Sequence, residues 1–116
     1  MANFKKIDDY VLMTPEGPYD IKKYQNALRE VEIFCRQNGL KKILADVTKN
    51  KGNIPVVDRF QLGVEMANIL GIKIKLAILA PPFMIDKLGE NTAVNRGGRV
   101  FVTSSREEAL AWLKEK

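Results

Sequence analysis

The 116-residue chain has no histidine and a single cysteine, Cys35. Without histidine the commonest general base, the usual nucleophilic triads and most zinc sites are out of reach. A lone cysteine allows no internal disulfide, thiolate cluster or redox pair, and it fits a reducing compartment. Long apolar runs are missing too. None is longer than Leu76 to Ala80, which falls far short of the roughly 18–20 residues a membrane helix needs. The opening MANFKKIDDY lacks the apolar core of a secretory signal. Together these features predict a cytoplasmic location. There is no GxGxxG and no P-loop, and Arg96-Gly97-Gly98-Arg99 is too short to cradle a phosphate alone. No spacing nominates a carboxylate pair for acid–base work. The expectation is a protein without metal or cofactor that is not an enzyme.

The net charge is +5, but it is dispersed. The basic doublets Lys5-Lys6, Lys22-Lys23 and Lys41-Lys42 never grow into the run of about five to eight residues that marks a nucleic-acid patch. Aromatics interleaved with arginine, a sign of single-strand binding, are also missing. No nucleic-acid partner is expected. What the chain does have is ordinary globular composition, 46% apolar and 28% charged. Its length suits one domain over residues 1–116, able to bury roughly 65% of the unfolded surface.

Periodicity along the chain predicts alternating strands and helices. Residues 3–7 and 10–14 read as a hairpin turning at Asp8-Asp9 and ending at Pro15-Glu16-Gly17-Pro18. Asp20 reads as an N-cap, followed by an apolar stripe of Ile21, Tyr24, Ala27, Leu28, Val31, Phe34 and Cys35, with Gly39 as the C-terminal stop. Cys35 on that stripe reads as a buried core thiol. Residues 42–47 (KILADV) read as a buried strand and Thr48 to Asn53 as a polar loop. Asp58 with Gln61 resembles a capping box opening a second helix. Its inner face is predicted as Phe60, Gly63, Val64, Ala67 and Leu70, the small residues letting it approach a sheet. Residues 73–80 (KIKLAILA) read as a central strand buried on both faces. A short helix is expected within 85–96, a last strand over 99–103, and a last helix capped by Ser104 with Glu107. This order predicts an α/β fold: one mixed sheet, an N-terminal hairpin then parallel strands, with about four helices.

Three places have side chains suited to binding. Asp46-Val47-Thr48 ends a strand, at the edge where open α/β sheets collect ligands. Thr48 there is a candidate phospho-acceptor and Asp46 a polar anchor; equally, the pair would simply bond loop backbone. Asp58-Arg59-Phe60 stands at a helix start, which favours anions, although capping alone accounts for Asp58. In the segment 91–99, Arg96 and Arg99 would bind an acidic ligand or partner, or the segment merely turns a helix into a strand. Phe83-Met84, near Asn53, Ile54 and Val56, marks a possible edge for a small apolar or amphipathic ligand between sheet and helices. An edge strand such as 10–14 or 99–103 would allow a homodimer.

The stretches KILADVT (42–48), DRFQLGVEMANILG (58–71), IKLAILA (74–80) and NTAVNRGGRVFVTSSREEALAWL (91–113) resemble the SpoIIAA-like branch of the STAS family. The Asn-Arg-Gly turn, the Val-Phe strand and the Glu-Glu-Ala-Leu-x-Trp-Leu ending are the most specific part. The resemblance implies a mixed sheet with a hairpin and four helices. It also implies a non-enzymatic regulatory domain that binds a protein partner, as anti-sigma-factor antagonists bind a kinase and are switched by phosphorylation. The family's wider name points as well to lipid-binding modules with an apolar pocket. Antagonists carry an Asp-Ser-Ser-Gly phosphosite at the start of the second helix. Asp58 matches its Asp, but Arg59 stands at the acceptor serine, which leaves Thr48 as the hydroxyl in a suitable place.

Overall fold

The computed structural model describes residues 2–50, 53–85 and 87–115. Residues 51 and 52 of the expected Thr48 to Asn53 loop, and residue 86 of the region expected to hold the third helix, lie outside the described residues. Strands β1 (Ala2–Ile7) and β2 (Tyr10–Pro15) form the hairpin. Then follow α1 (Ile21–Asn38), β3 (Lys42–Asp46), α2 (Val56–Leu70), β4 (Lys75–Leu79) and a single 3₁₀ turn (Pro82–Met84). The chain continues through α3 (Leu88–Asn95), β5 (Arg99–Thr103) and α4 (Arg106–Lys114). The strands lie in the order β1-β2-β3-β4-β5, antiparallel between β1 and β2 and parallel thereafter.

This sequential order fixes the layers. Right-handed crossovers that always step to the next strand put their helices on one face. Accordingly α1 packs Ala27, Leu28, Val31 and Cys35 into the same core as Leu62 and Leu70 of α2 and Ala93 of α3, against Val11, Ile43, Leu76 and Val100 of the sheet. On the other face α4 packs Ala109 and Leu113 on Leu44, Ala77 and Leu79. Ile43, Leu44, Leu76 and Leu113 are among the largest side chains that are fully buried, each contributing about 1.5–3 kcal/mol. β4 is buried on both faces, as its apolar run predicts, and so is the middle of β3.

Both ends of α4 are tied down. Its N-cap hydroxyl, Ser105, accepts from the Glu108 amide at 3.2 Å. At its C-terminus the buried ammonium of Lys75 donates to the carbonyls of Trp112 and of Glu115, the latter at 2.9 Å, and lies 4.4 Å from the Trp112 ring centre. The lysine that opens a central strand thereby closes the helix that follows the last strand.

Local expectations held at α1. Asp20 accepts from the Lys22 amide at 2.9 Å, and Gly39 ends the helix with φ 66°, left-handed backbone that glycine adopts without penalty. Others shifted. The last helix is capped by Ser105 with Glu108, one residue later than Ser104 with Glu107, because Thr103 ends the strand by accepting the Ser105 amide and donating to Glu108. α2 begins at Val56 behind Pro55, with no side-chain cap. The expected capping box at Asp58 does not form, since Asp58 already lies inside the first turn. Strands expected over 42–47 and 73–80 are shorter, Lys42–Asp46 and Lys75–Leu79. Residues 10–14 are not an edge, because β1 pairs along all of β2 and β3 pairs on its other side.

The inner face of α2 also differs. Leu62, Gly63, Ala67 and Leu70 are buried, while Phe60 is 47% exposed. The small residues meet α3 and its exit instead of the sheet. A Cβ on Gly63 would stand 2.6 Å from the Gly89 carbonyl oxygen and 2.9 Å from Thr92 Cβ, and one on Gly98 would stand 3.4 Å from Ala67 Cβ. Backbone is what a Cβ at 63 would strike, so α3 would have to move. Gly63→Ala is therefore expected to lower stability by about 1–2 kcal/mol, overpacking outweighing a helix-propensity gain of about 1 kcal/mol. Urea unfolding checks this; a net gain in stability would show that α3 yields freely.

Candidate functional site

The carboxyl ends of the parallel strands bring several predicted residues to one edge. Asp46 closes β3, and its Oδ1 accepts both the Thr48 amide at 3.0 Å and the Thr48 hydroxyl at 2.6 Å. Its Oδ2 accepts from Arg106 Nη2 at 3.0 Å, on the first turn of α4. One carboxylate thus links the loop after β3 to the helix on the far face. Burial pushes the Asp46 pKa up, but the Thr48 hydrogen bonds and the Arg106 charge outweigh it and hold it below its ordinary value. Thr48 itself is exposed and its hydroxyl donates inward to Asp46, the arrangement in which a strand-end pair bonds loop backbone.

Beyond this loop, α2 presents its first turn. Tyr19 donates to Asp58 Oδ2 at 2.8 Å, joining the segment before α1 to the start of α2. Burial and then this carboxylate push the Tyr19 phenol well above its usual range. Val56 and Val57 are 62% and 73% exposed, and the Arg96 guanidinium lies 5.7 Å from the Phe60 ring centre. Val94 on α3 is also half exposed. Phe83 follows β4, whose Leu79 pairs with Asp46, so it belongs to the same edge; it is 73% exposed while the adjacent Met84 is buried.

Arg99 is not brought to this edge. It pairs in register with Lys75, which pairs with Lys42, a row of three cations at the opposite end of the strands. Nor is β5 a bare edge. Glu90 Oε1 accepts the Val102 amide at 3.1 Å, and Lys87 donates to the Val102 carbonyl at 2.6 Å and to Glu90 at 3.0 Å. A copy pairing there would have to displace both side chains.

Beneath the loop lie two apolar clefts of about 80 Å³ each. They share Val47, Ile54, Leu62, Met66 and Ile78. The first extends to Arg59, Ile85 and Lys87, the second to Met13, Ala27 and Tyr24. The Tyr24 hydroxyl is buried and has no hydrogen-bond partner, a situation that costs about 1–3 kcal/mol. Burial also pushes its pKa up to about 12, so the hydroxyl keeps its proton. Cys35, fully buried, is likewise pushed up to about 11 by burial and then by Glu32, as expected of a core thiol. Among the described residues no three His, Cys, Asp or Glu side chains stand together as metal ligands would. No helix among them is long and apolar enough to cross a membrane.

Sequence reasoning named Val56 only beside an apolar-ligand edge and Tyr24 only as part of the α1 stripe, and it missed Val57. The signals were present: Val56-Val57 fall off the inner-face spacing of α2, and Tyr24 puts a hydroxyl on an otherwise apolar stripe.

Neither a family model nor a curated protein matches the chain. Solved structures do. A protein titled SpoIIAA-like in fold, uncharacterised and from Shewanella loihica, is 17% identical with TM-score 0.57, over 97% of this chain and 92% of its own. The chain has the SpoIIAA-like fold. An anti-sigma factor antagonist from Mycobacterium paratuberculosis shares it at TM-score 0.64 and 12% identity, over 99% of this chain and 94% of that one. The protein TM1081, solved by NMR, shares it at TM-score 0.65 and 18% identity, over 100% and 90%. At these identities the likeness is one of fold, and no site residue is carried over from it.

The Asp46 cluster gives a pH-dependent prediction. Its folded-state pKa lies below the ordinary 3.8, so its contribution is present at neutral pH and is lost as pH falls through the folded value. Asp46→Asn is expected to lower stability by about 1–2 kcal/mol at pH 7. The gap from the unsubstituted protein is expected to shrink in unfolding curves at pH 3; an equal gap at both pH values would contradict it.

Proposed function

We propose that this chain is a non-enzymatic regulatory or protein-interaction module that docks a protein partner on the outer face of α2 and α3. The observation that carries the reading is the exposed set Val56, Val57, Phe60 and Val94, with Arg96 laid over the Phe60 ring. Large apolar side chains grouped on a surface mark interaction sites more often than scattered ones do. An aromatic ring and an arginine together are the residue types that anchor interfaces. The acidic groups nearby are already engaged, Asp58 by Tyr19 and Glu90 by Lys87. The face therefore suits an amphipathic segment with acidic side chains. The anti-sigma factor antagonist among the structural neighbours offers a precedent for a partner-binding role on this fold. The reading places the chain in the cytoplasm, with which the free Cys35 thiol agrees.

Thr48 is the proposed phospho-acceptor of this module. Support comes from its exposure on the loop and from Arg106, which is held through Asp46 beside it. A phosphate on Thr48 would lose the hydrogen bond to Asp46 and compete with that carboxylate for Arg106, loosening the loop.

A second reading, a small apolar ligand held between sheet and helices, is supported by the two clefts. Their size limits it. At about 80 Å³ each, against about 300 Å³ or more for ordinary ligand pockets, they suit a small ligand better than a long-chain lipid.

Two outcomes test the leading reading. Tagged chain recovered from its native host is expected to retain a partner, and Phe60→Asp to reduce that recovery about tenfold with an unchanged melting temperature. Equal recovery by both would contradict the assigned face. Mass mapping of protein from the same cells is expected to find phosphate on Thr48; a wholly unmodified Thr48 after incubation with host kinases would remove it as the switch.

A further inference from the structure

We infer that the amino-terminal pole of the parallel strands docks on an anionic membrane surface, with Ile72 entering the headgroup layer among free cations. The net charge of +5 is scattered in sequence, but the fold gathers much of it at one end. Each crossover returns the chain to the same pole, where Lys41 precedes β3, Lys73 precedes β4, Arg99 opens β5 and Lys114 ends α4. Contacts tie these ends together. The Lys75 amide donates to the Lys41 carbonyl at 2.9 Å, and the Lys75 ammonium holds the last carbonyls of α4. Lys41, Lys73 and Lys114 are exposed and Arg99 is half-buried. None of the four forms an ion pair among the described residues. Asp9 is taken by Lys42 at 2.7 Å, which leaves Asp8 and Glu115 as the unpaired acids described at this end.

Cations at helix C-termini also complement helix dipoles, and α1, α2 and α3 all end here. That role needs no apolar side chain among the cations. Ile72 is one, 69% exposed in the connection from α2 to β4 and directly before Lys73. An isoleucine held out between basic side chains matches a bilayer interface, where an apolar group enters the headgroup boundary and lysines meet anionic lipid. Trp112, half-buried in the last turn of α4, is of the residue type that favours the same layer. A single-stranded nucleic acid would be met by stacking aromatics and arginine, whereas three of the four free cations are lysines. The Asp46–Thr48 edge lies at the other end of the strands and faces away from such a surface.

Vesicles of phosphatidylcholine, with and without an equal part of phosphatidylserine, are the probes, read by co-sedimentation of the whole chain. Binding is expected to the anionic vesicles alone. It is expected to vanish between about 0.1 M and 1 M salt, as the reach of a charge falls from about 10 Å to about 3 Å. Lys41→Gln with Lys73→Gln is expected to weaken binding about 25-fold, each lysine being worth roughly fivefold near such a surface. Ile72→Ser is expected to weaken it about fivefold. Lys49→Gln, in the loop at the opposite end, is expected to leave it unchanged. All four positions are exposed, so melting temperatures are expected to stay the same. A loss from Lys49→Gln as large as that from Lys41→Gln alone would reduce the effect to net charge and overturn the pole. No binding to anionic vesicles, or the same binding to neutral ones, would overturn the proposal outright. A DNA duplex bound in place of vesicles, weakened by the lysine changes and indifferent to Ile72→Ser, would make the pole a nucleic-acid surface and overturn the membrane.

Discussion

The close approach of α2 and α3 at Gly63 is the constraint from which the rest of the proposed surface follows. With no side chain at 63, the two helices meet at Gly89 and Thr92, closer than any pair bearing a Cβ would allow. Leu62 then fills the core position beside it, and Phe60 is turned outward. Gly98 repeats the economy where α3 passes into β5, against Ala67. The consequence is a two-helix slab whose inner side is shared core and whose outer side carries Val56, Val57, Phe60, Val94 and Arg96. Protein interiors pack too densely for such a slab to flex by small degrees, which makes its outer side a preformed surface.

The opposite face of the sheet is organised by charge. α4 is the helix that covers it, and it covers chiefly β3, β4 and β5; Tyr10 and Leu12 of β2 stay partly exposed. Nine residues of helix are marginal by themselves, and α4 is fixed at both ends from the sheet. Asp46 holds Arg106 at its start, and Lys75 takes the carbonyls at its finish. Asp46 serves the Thr48 loop with its other oxygen, so loop and helix share one anchor. A change of charge at Thr48 would reach α4 through that shared carboxylate.

Much of the fold was legible because it rests on periodicity. The alternating hairpin, the stripe on α1 and the apolar run in β4 each state a face and a length, and the order of strands and helices follows from them. The errors are those of tertiary context. Asp58 looks like a cap in sequence, but Pro55 starts the helix earlier and Tyr19 takes the carboxylate. Gly63 and Ala67 signal close packing without naming the neighbour. Arg96 and Arg99 are three residues apart, yet one lies over Phe60 and the other stands at the far end of the strands beside Lys75. The clefts were least legible, since a cavity is made of what neighbouring side chains fail to fill. Of the predicted site, the pairing of Asp46 with Thr48 was readable because it is local; the Arg106 contact spans the chain from β3 to α4 and was not.

The central claim is that the outer side of the α2–α3 slab is where a partner sits. Photo-crosslinking in the native host tests it most directly, with benzoylphenylalanine replacing Phe60 in one variant and Ile33, an exposed apolar residue of α1, in another. The account predicts a discrete crosslinked protein from position 60, lost when Arg96→Glu is added, and none from position 33. Matching crosslinks from both positions, or none from position 60, would contradict it.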